Sequence, residues 1–245
     1  MYTTHPLYGQ NPTAGQYCTV NGVTLYYEVY GSGPPLLLLH GNLQSIAAFE
    51  HQIPFFEGQC RVIIPDCRGR GRSTDNDDEL TYHNQALDIK LLLEHLQLPA
   101  VHIVGWSDGG IIGLIMAMMY PEKVHSLVAC GANIVQDETA LFEADLAVYR
   151  EAYCNQTFTG MEHKLLHLLL HHPNLRFEEL AVIKCPVLIV AGEHDAIRPA
   201  HTLAIHRAIP GSQLWVVPGA GHRLVSEQYS VFNERVSRFL SNAAG

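Results

Sequence analysis

No apolar run in the sequence approaches the roughly 18 residues that a bilayer-spanning helix needs, so no membrane span is expected. Positive charge is scarce as well. Lys and Arg number 15 against 24 Asp and Glu, a formal net charge of −9. That balance argues against nucleic acid or an anionic membrane surface as a partner. Residues 1–16 have no basic n-region and no apolar h-region; they read as a loosely held leader rather than a signal peptide. The six cysteines (Cys18, Cys60, Cys67, Cys130, Cys154 and Cys185) are widely spaced and form no C-x-x-C pair. They read as reduced thiols of a cytoplasmic protein, not as a disulfide framework or a zinc site. Internal repeats and low-complexity tracts are also missing. No H-E-x-x-H occurs, and no G-K-[ST] follows Gly69-Arg70-Gly71, which removes the usual signatures of a zinc protease and a phosphate loop. No metal and no cofactor is expected.

What is present suits one large α/β domain. The chain has 245 residues, 47% apolar and 16% charged, enough for a well-buried core. Its organising stretch runs from His102 to Gly113. Ala100 to Val104 reads as a buried strand, Gly109 to Tyr120 as a buried helix, and Gly105-Trp106-Ser107-Asp108-Gly109 lies between them. G-x-S-x-G is a weak signal alone. Between a strand and a helix it describes a nucleophile elbow, a sharp turn that lifts the serine hydroxyl clear of the sheet.

In chain order, Gln16 to Val20 and Val23 to Tyr30 form a predicted hairpin about Asn21-Gly22. A wholly apolar strand, Pro35 to Leu39, runs into His40-Gly41-Asn42-Leu43. A helix is expected over Ala47 to Phe56 and a strand over Arg61 to Pro65. The turn Asp66-Cys67-Arg68-Gly69-Arg70-Gly71-Arg72-Ser73 follows; its arginines read as structural or surface charges near the site entrance. A helix over Leu80 to Leu98 precedes the elbow, and a strand over Val124 to Cys130 follows it. The alternation then stops. Residues of about 133–183 read as a helical cap, with helices at Asp137 to Glu151 and Met161 to His172. Core segments 17–132 and 184–245 enclose it. Strand rhythm returns with Pro186 to Val190 and Gln213 to Val217, with helices at Ala200 to Ala208 and Ser226 to Leu240. The pattern indicates a mainly parallel sheet flanked by helices.

A serine hydroxyl needs a base, and the base works best when a carboxylate orients it. In open parallel sheets such partners belong in loops just after strands. Two loops qualify: Gly192-Glu193-His194-Asp195 and Gly219-Ala220-Gly221-His222. Ser107, Asp195 and His222 then follow in the chain order of nucleophile, acid and base, with Glu193 the competitor of Asp195.

On these motifs residues 18–241 resemble an α/β-hydrolase. The His-Gly loop, the Asp-x-Arg-Gly-x-Gly-x-Ser turn, the elbow, the Gly-Glu-x-Asp loop and the Gly-x-Gly-His loop all fall in order. Gly105 to Gly110, with Gly131-Ala132-Asn133, is most similar to the valacyclovir hydrolase or biphenyl-hydrolase-like group. The resemblance implies a carboxylic ester hydrolase working by acyl transfer, with a small-molecule ester as partner and a monomer or homodimer as the state. It assigns Ser107 as nucleophile, His222 as base and Asp195 as orienting acid. The oxyanion hole falls to the backbone N–H groups of Asp108 and of Asn42, with Leu43 as alternative donor. Trp106 and Leu43 are expected at the substrate. In that group the aspartate after the nucleophile is associated with a substrate α-amino group, so Asp108 points to α-amino-acid esters; otherwise it only complements the helix N-terminus.

The same parts suit lactones, thioesters or carbon–carbon bonds, and a receptor of this fold with little turnover stays open. A haloalkane dehalogenase would need a carboxylate where Ser107 stands. His163, His167 and His171 share one helix face, which reads as a polar face because the sequence offers no further ligands beside it.

Overall fold

The computed structural model describes residues 7–243. Strands β1 (Gly15–Val20) and β2 (Val23–Tyr30) form the hairpin, and Asn21 and Gly22 take φ of 47° and 73°, as a two-residue primed turn requires. The expected leader is only partly described, since residues 1–6 lie outside the described residues. Its next part is not loose. Glu28, fully buried on β2, accepts the N–H groups of Gly9 (2.9 Å) and Asn11 (2.8 Å) and the hydroxyls of Tyr26 and Tyr30. A buried carboxylate is tolerated because these donors surround it.

The chain continues through β3 (Pro35–Leu39), a short α1 (Ile53–Phe56), β4 (Arg61–Pro65), α2 (Tyr82–His95), β5 (Val101–Trp106), α3 (Asp108–Met119) and β6 (Val124–Cys130). Next come α4 (Glu143–Cys154), α5 (Gly160–His171), β7 (Val187–His194), α6 (Pro199–Ala208), β8 (Gln213–Gly221), α7 (Leu224–Glu227) and α8 (Tyr229–Ala243). The eight strands lie in the order β1-β2-β4-β3-β5-β6-β7-β8. β1 and β2 are antiparallel to their neighbours, and the other pairings are parallel. Both faces are buried. Leu37, Ile63, Ile103, Leu127 and Ile189 pack beneath α2, α3 and α6 on one side. Leu36, Leu38, Val62, Val104, Val128 and Val190 meet Phe49 and the α8 residues Phe232, Val236 and Phe239 on the other. Adjacent residues of each strand thus serve opposite layers, which explains its unbroken apolar sequence.

Several boundaries depart from expectation. The helix foreseen over residues 47–56 is a 3₁₀ turn, Ile46–Phe49, followed by α1. Pro54 has no amide to continue an α-helical ladder from Glu50, so a single helix cannot form there. The closing helix is likewise divided into α7 and α8. Strands β7 and β8 run four residues beyond their apolar stretches, pairing as far as His194 with Gly221. A Cβ at Gly192 would collide with the Ala220 carbonyl, so the glycines that read as a loop let the two strand ends close together.

Between β6 and β7 no strand forms; α4, α5 and a 3₁₀ turn over Phe177–Val182 fill the segment. Leu165, Leu168, Leu175, Leu180 and Ile183 from it join the main core, so the segment is packed onto the sheet layer. All six cysteines are free. Among the described residues no helix is long and apolar enough to cross a membrane.

Candidate active site

β3 and β5 are parallel neighbours, yet the chain leaves β3 toward β4 on one side and β5 toward β6 on the other. The crevice where the two loops part is the expected ligand position of such a sheet. Ser107 stands there, alone between β5 and α3, at φ 55° and ψ −119°. A non-glycine residue in that region carries strain of about 1–3 kcal/mol. The flanking glycines make room for it. A Cβ at Gly105 would strike the Gly109 carbonyl, and a Cβ at Gly109 would strike the Leu39 carbonyl.

The fold brings the three expected side chains into one row. His222 Nε2 lies 3.0 Å from Ser107 Oγ, and His222 Nδ1 lies 2.7 Å from Asp195 Oδ1. Asp195 is buried and accepts the backbone N–H groups of Ile197 (3.0 Å) and Gly192 (3.2 Å). Burial raises its pKa, but the hydrogen bond and charge of His222 and these two amides outweigh burial and hold it below the ordinary value. An ionised Asp195 fixes the proton of a neutral imidazole on Nδ1, leaving the Nε2 lone pair for the Ser107 hydroxyl. Glu193 is exposed and accepts the Gly219 N–H at 2.8 Å, turned to another task. Gly131 borders the imidazole closely: a Cβ there would stand 2.9 Å from His222 Cε1.

The loop after β3 lies against the serine. A Cβ on Gly41 would stand 3.1 Å from Ser107 Cβ. His40 anchors this loop from a fully buried position. Its Nε2 accepts the Cys67 N–H (2.9 Å), so Nδ1 carries the proton and donates to the Gly41 carbonyl (2.8 Å). Burial, reinforced by the Arg70 charge, pushes its pKa down to about 3, which keeps the ring neutral. Asn42 follows Gly41, and Asp108 follows Ser107. The Asp108 N–H is the first of α3 and has no acceptor within the helix. Leu43, at φ 55°, is 60% exposed.

Asp108, expected at a substrate amine or at the helix N-terminus, is held by partners from the protein itself. The Asp108 carboxylate is buried beneath the elbow, accepting the Tyr82 hydroxyl on Oδ1 (2.8 Å) and Asn42 Nδ2 on Oδ2 (3.0 Å). Burial raises its pKa, and the nearby Arg70 charge is the largest influence against that rise, followed by the Tyr82 and Asn42 hydrogen bonds. Arg70 itself is buried. Its Nη2 donates to Gln85 Oε1, while Nε and Nη1 find no partner among the described residues. Sequence reasoning singled out neither Tyr82 nor Arg70. The only signal was that Arg70 is the middle arginine of a glycine-rich turn. Its neighbours differ: Arg68 is locked to Asp88 by two hydrogen bonds (2.8 and 2.7 Å), and exposed Arg72 lies over the Tyr26 ring.

Two cavities flank Leu43. The larger, about 620 Å³, is bordered by Trp106, Arg70, Met161, Glu162 and Arg223. The smaller, about 270 Å³, is lined mainly by apolar groups of the cap, including Val148, Tyr149, Phe158 and Leu166. Trp106 is largely buried, and its Nε1 reaches the His222 carbonyl. Glu79, His167 and His172, a cluster of metal-ligating side chains, share no residue with the serine row.

Comparison with known proteins gives the family of the chain. Residues 34–158, more than half of the chain, match the family model described as alpha/beta hydrolase fold, and residues 171–244 match one described as TAP-like protein. The chain is similar to the human serine hydrolase BPHL, 31% identical over 245 residues, covering 90% of this chain and 84% of that protein. Among solved structures it is similar to a bromoperoxidase from Bacillus anthracis (TM-score 0.82, 24% identity, 93% of this chain and all of that one). It is also similar to an enol-lactonase from Burkholderia xenovorans LB400 (TM-score 0.78, 20% identity, 92% of this chain and all of that one).

Proposed function

The chain belongs to the α/β-hydrolase family and is a hydrolase, and from that premise we propose that it cleaves small carboxylic esters through a covalent acyl-enzyme. The observation that carries this reading is the continuous row from Ser107 Oγ through the His222 ring to Asp195. Ser107 Oγ attacks the ester carbonyl carbon while its proton passes to His222 Nε2. The negative charge that develops on the carbonyl oxygen is met by the N–H groups of Asn42 and Asp108, at the N-terminus of α3. The tetrahedral species collapses, and His222 gives its proton to the departing alcohol. Water then attacks the acyl carbon, losing a proton to the same nitrogen. The acid leaves, Ser107 regains its proton, and the cycle is closed.

Asp195 holds the histidine in the required tautomer and stabilises the imidazolium formed in each half. Asp108 serves the elbow from behind. Its carboxylate ties Tyr82 of α2 and Asn42 of the oxyanion loop to the start of α3. Trp106 and Leu43 border the cavity that receives the substrate.

The test is hydrolysis of a matched ester pair, one with a free α-amine and one without, by wild type and Ser107→Ala. The expected outcome is turnover of both by wild type, with less than a tenfold preference, and loss of both in the variant. A preference of tenfold or more for the amine, about 1.4 kcal/mol, would return Asp108 to the substrate. Wild type that is labelled once at Ser107 but never turns over would make the chain a receptor. Turnover of lactones with no open-chain ester would reassign the same row to ring opening.

A further inference from the structure

Four imidazoles gather at one end of the cap. His163, His167 and His171 repeat at one-turn spacing along α5, and His172 is its C-cap. Tyr153 of α4 stacks on the His163 ring at 4.7 Å and sits 5.8 and 5.7 Å from the rings of His167 and His171. A run of imidazoles on one helix is by itself only a polar face. What changes its meaning is a carboxylate delivered from elsewhere. The chain leading into α2 sets Glu79 against the end of α5, its Oε1 3.1 Å from His172 Nε2. One donor atom from each of Glu79, His167 and His172 lies within 4.8 Å of the other two.

We propose that Glu79, His167 and His172 form a binding site for a divalent transition-metal ion of the zinc class, at the seam between cap and core. Two imidazoles and one carboxylate are a recognised ligand set for Zn²⁺, and three protein ligands leave a fourth position for water. In a tetrahedral site with bonds of about 2.0–2.1 Å, ligand atoms stand about 3.4 Å apart. The Glu79–His172 pair is already near that spacing. His167, whose donor atom lies within 4.8 Å of the other two, would close the set by a side-chain adjustment. Nitrogen ligands in the majority favour zinc over calcium or magnesium, which take oxygen.

The surroundings favour a cation. Asp77 and Asp78 line the same shallow cleft as His163 and His167. Lys164, the nearby positive group, is engaged by Asp75 Oδ2 and the Asn76 carbonyl, each at 2.7 Å. Because Glu79 belongs to the chain before α2 and the histidines to the β6–β7 segment, a bound ion would clamp α5 onto the body of the protein. The inference concerns a position separate from the serine row and does not depend on the esterase reading.

The experiment is equilibrium dialysis of the EDTA-stripped full-length chain against ZnCl₂, with thermal melting in parallel. One Zn²⁺ per chain is expected, with a melting rise of at least about 4 °C at a hundredfold excess over Kd. Co²⁺ in place of Zn²⁺ should give the visible absorption of a low-coordinate site. His167→Ala, His172→Ala and Glu79→Gln should each weaken binding tenfold or more, whereas Ser107→Ala should bind like wild type. Metal-free melting of each variant checks that it folds, and His172→Gln serves where His172→Ala does not. Two results overturn the site: no stoichiometric uptake by wild type, or uptake undiminished in the double variant His167→Ala/His172→Ala.

Discussion

The indole Nε1 of Trp106 donates a 2.8 Å hydrogen bond to the backbone carbonyl of His222, tying the end of β5 to the residue just past β8. The ring beside Ser107 therefore also holds the loop that carries His222. Trp106→Phe keeps most of the ring and removes the donor. A hydrogen bond of this kind contributes about 1 kcal/mol, so kcat should fall about fivefold to tenfold. KM should change less than threefold. Steady-state kinetics on one ester separates the two, and a change confined to KM would make Trp106 a pocket wall only.

The elbow should tolerate no side chain at its second glycine. Gly109→Ala drives a Cβ into the Leu39 carbonyl, whereas Gly58→Ala places one in open space at ordinary φ. Gly109→Ala should cost several kcal/mol and fail to give folded protein at 37 °C, while Gly58→Ala should stay within about 1 kcal/mol of wild type. Urea unfolding of the pair checks this.

Asp195 and Glu193 are neighbours in sequence with different duties. Asp195→Asn should lower kcat by about 10³–10⁴-fold, because the imidazole loses the partner that fixes its tautomer. Glu193→Gln touches a surface contact to Gly219 and should leave kcat within threefold. Equal losses in the two variants would contradict the assignment. Stability should respond too. The folded pKa of Asp195 lies below its ordinary 3.8, so its contribution is present above that value and disappears as pH falls through the folded one. Wild type should therefore lose stability below about pH 4 more steeply than Asp195→Asn.

Asp108 has the opposite sign. Its folded pKa is raised above 3.8, so the fold prefers the protonated form. That contribution is full below the unfolded value and is lost as pH rises through the folded one. Asp108→Asn should flatten the change in urea midpoint across this window. The variant can fold because Asn42 can still donate to the new amide oxygen, while the Tyr82 hydroxyl turns to accept from its nitrogen. Arg70→Met removes the nearest compensating charge and should extend the window to higher pH. Midpoints that move in parallel for all three proteins would disprove the coupling.

The serine row was legible because its parts are local. Gly105, Ser107 and Gly109 sit in one pentapeptide, and Asp195 and His222 each end a glycine-bearing segment after an apolar strand. The alternation of strand and helix placed those segments at one edge of the sheet. The setting of Asp108 was not legible, because Tyr82 arrives from α2, 26 residues away, and Arg70 from the turn after β4. No spacing rule relates them to the elbow. The end of β8 was missed for a similar reason: Pro218-Gly219-Ala220-Gly221 has little strand propensity and extends only because β7 is there to pair with it. The division of the helix expected over residues 47–56 follows from Pro54, whose missing amide interrupts the ladder.

Leu43 stands between two cavities of unlike size and character, about 620 Å³ with charged groups on one side and about 270 Å³ with apolar walls on the other. An ester is not symmetrical about its carbonyl. A molecule with a bulky polar arm and a short greasy arm can be built two ways, with either arm on the acid half. The two constitutional isomers have nearly the same size and polarity, and they differ in which arm would meet the charged chamber and which the apolar one. On the proposed esterase reading, the partition at Leu43 would let the protein tell the two isomers of such a reversed pair apart.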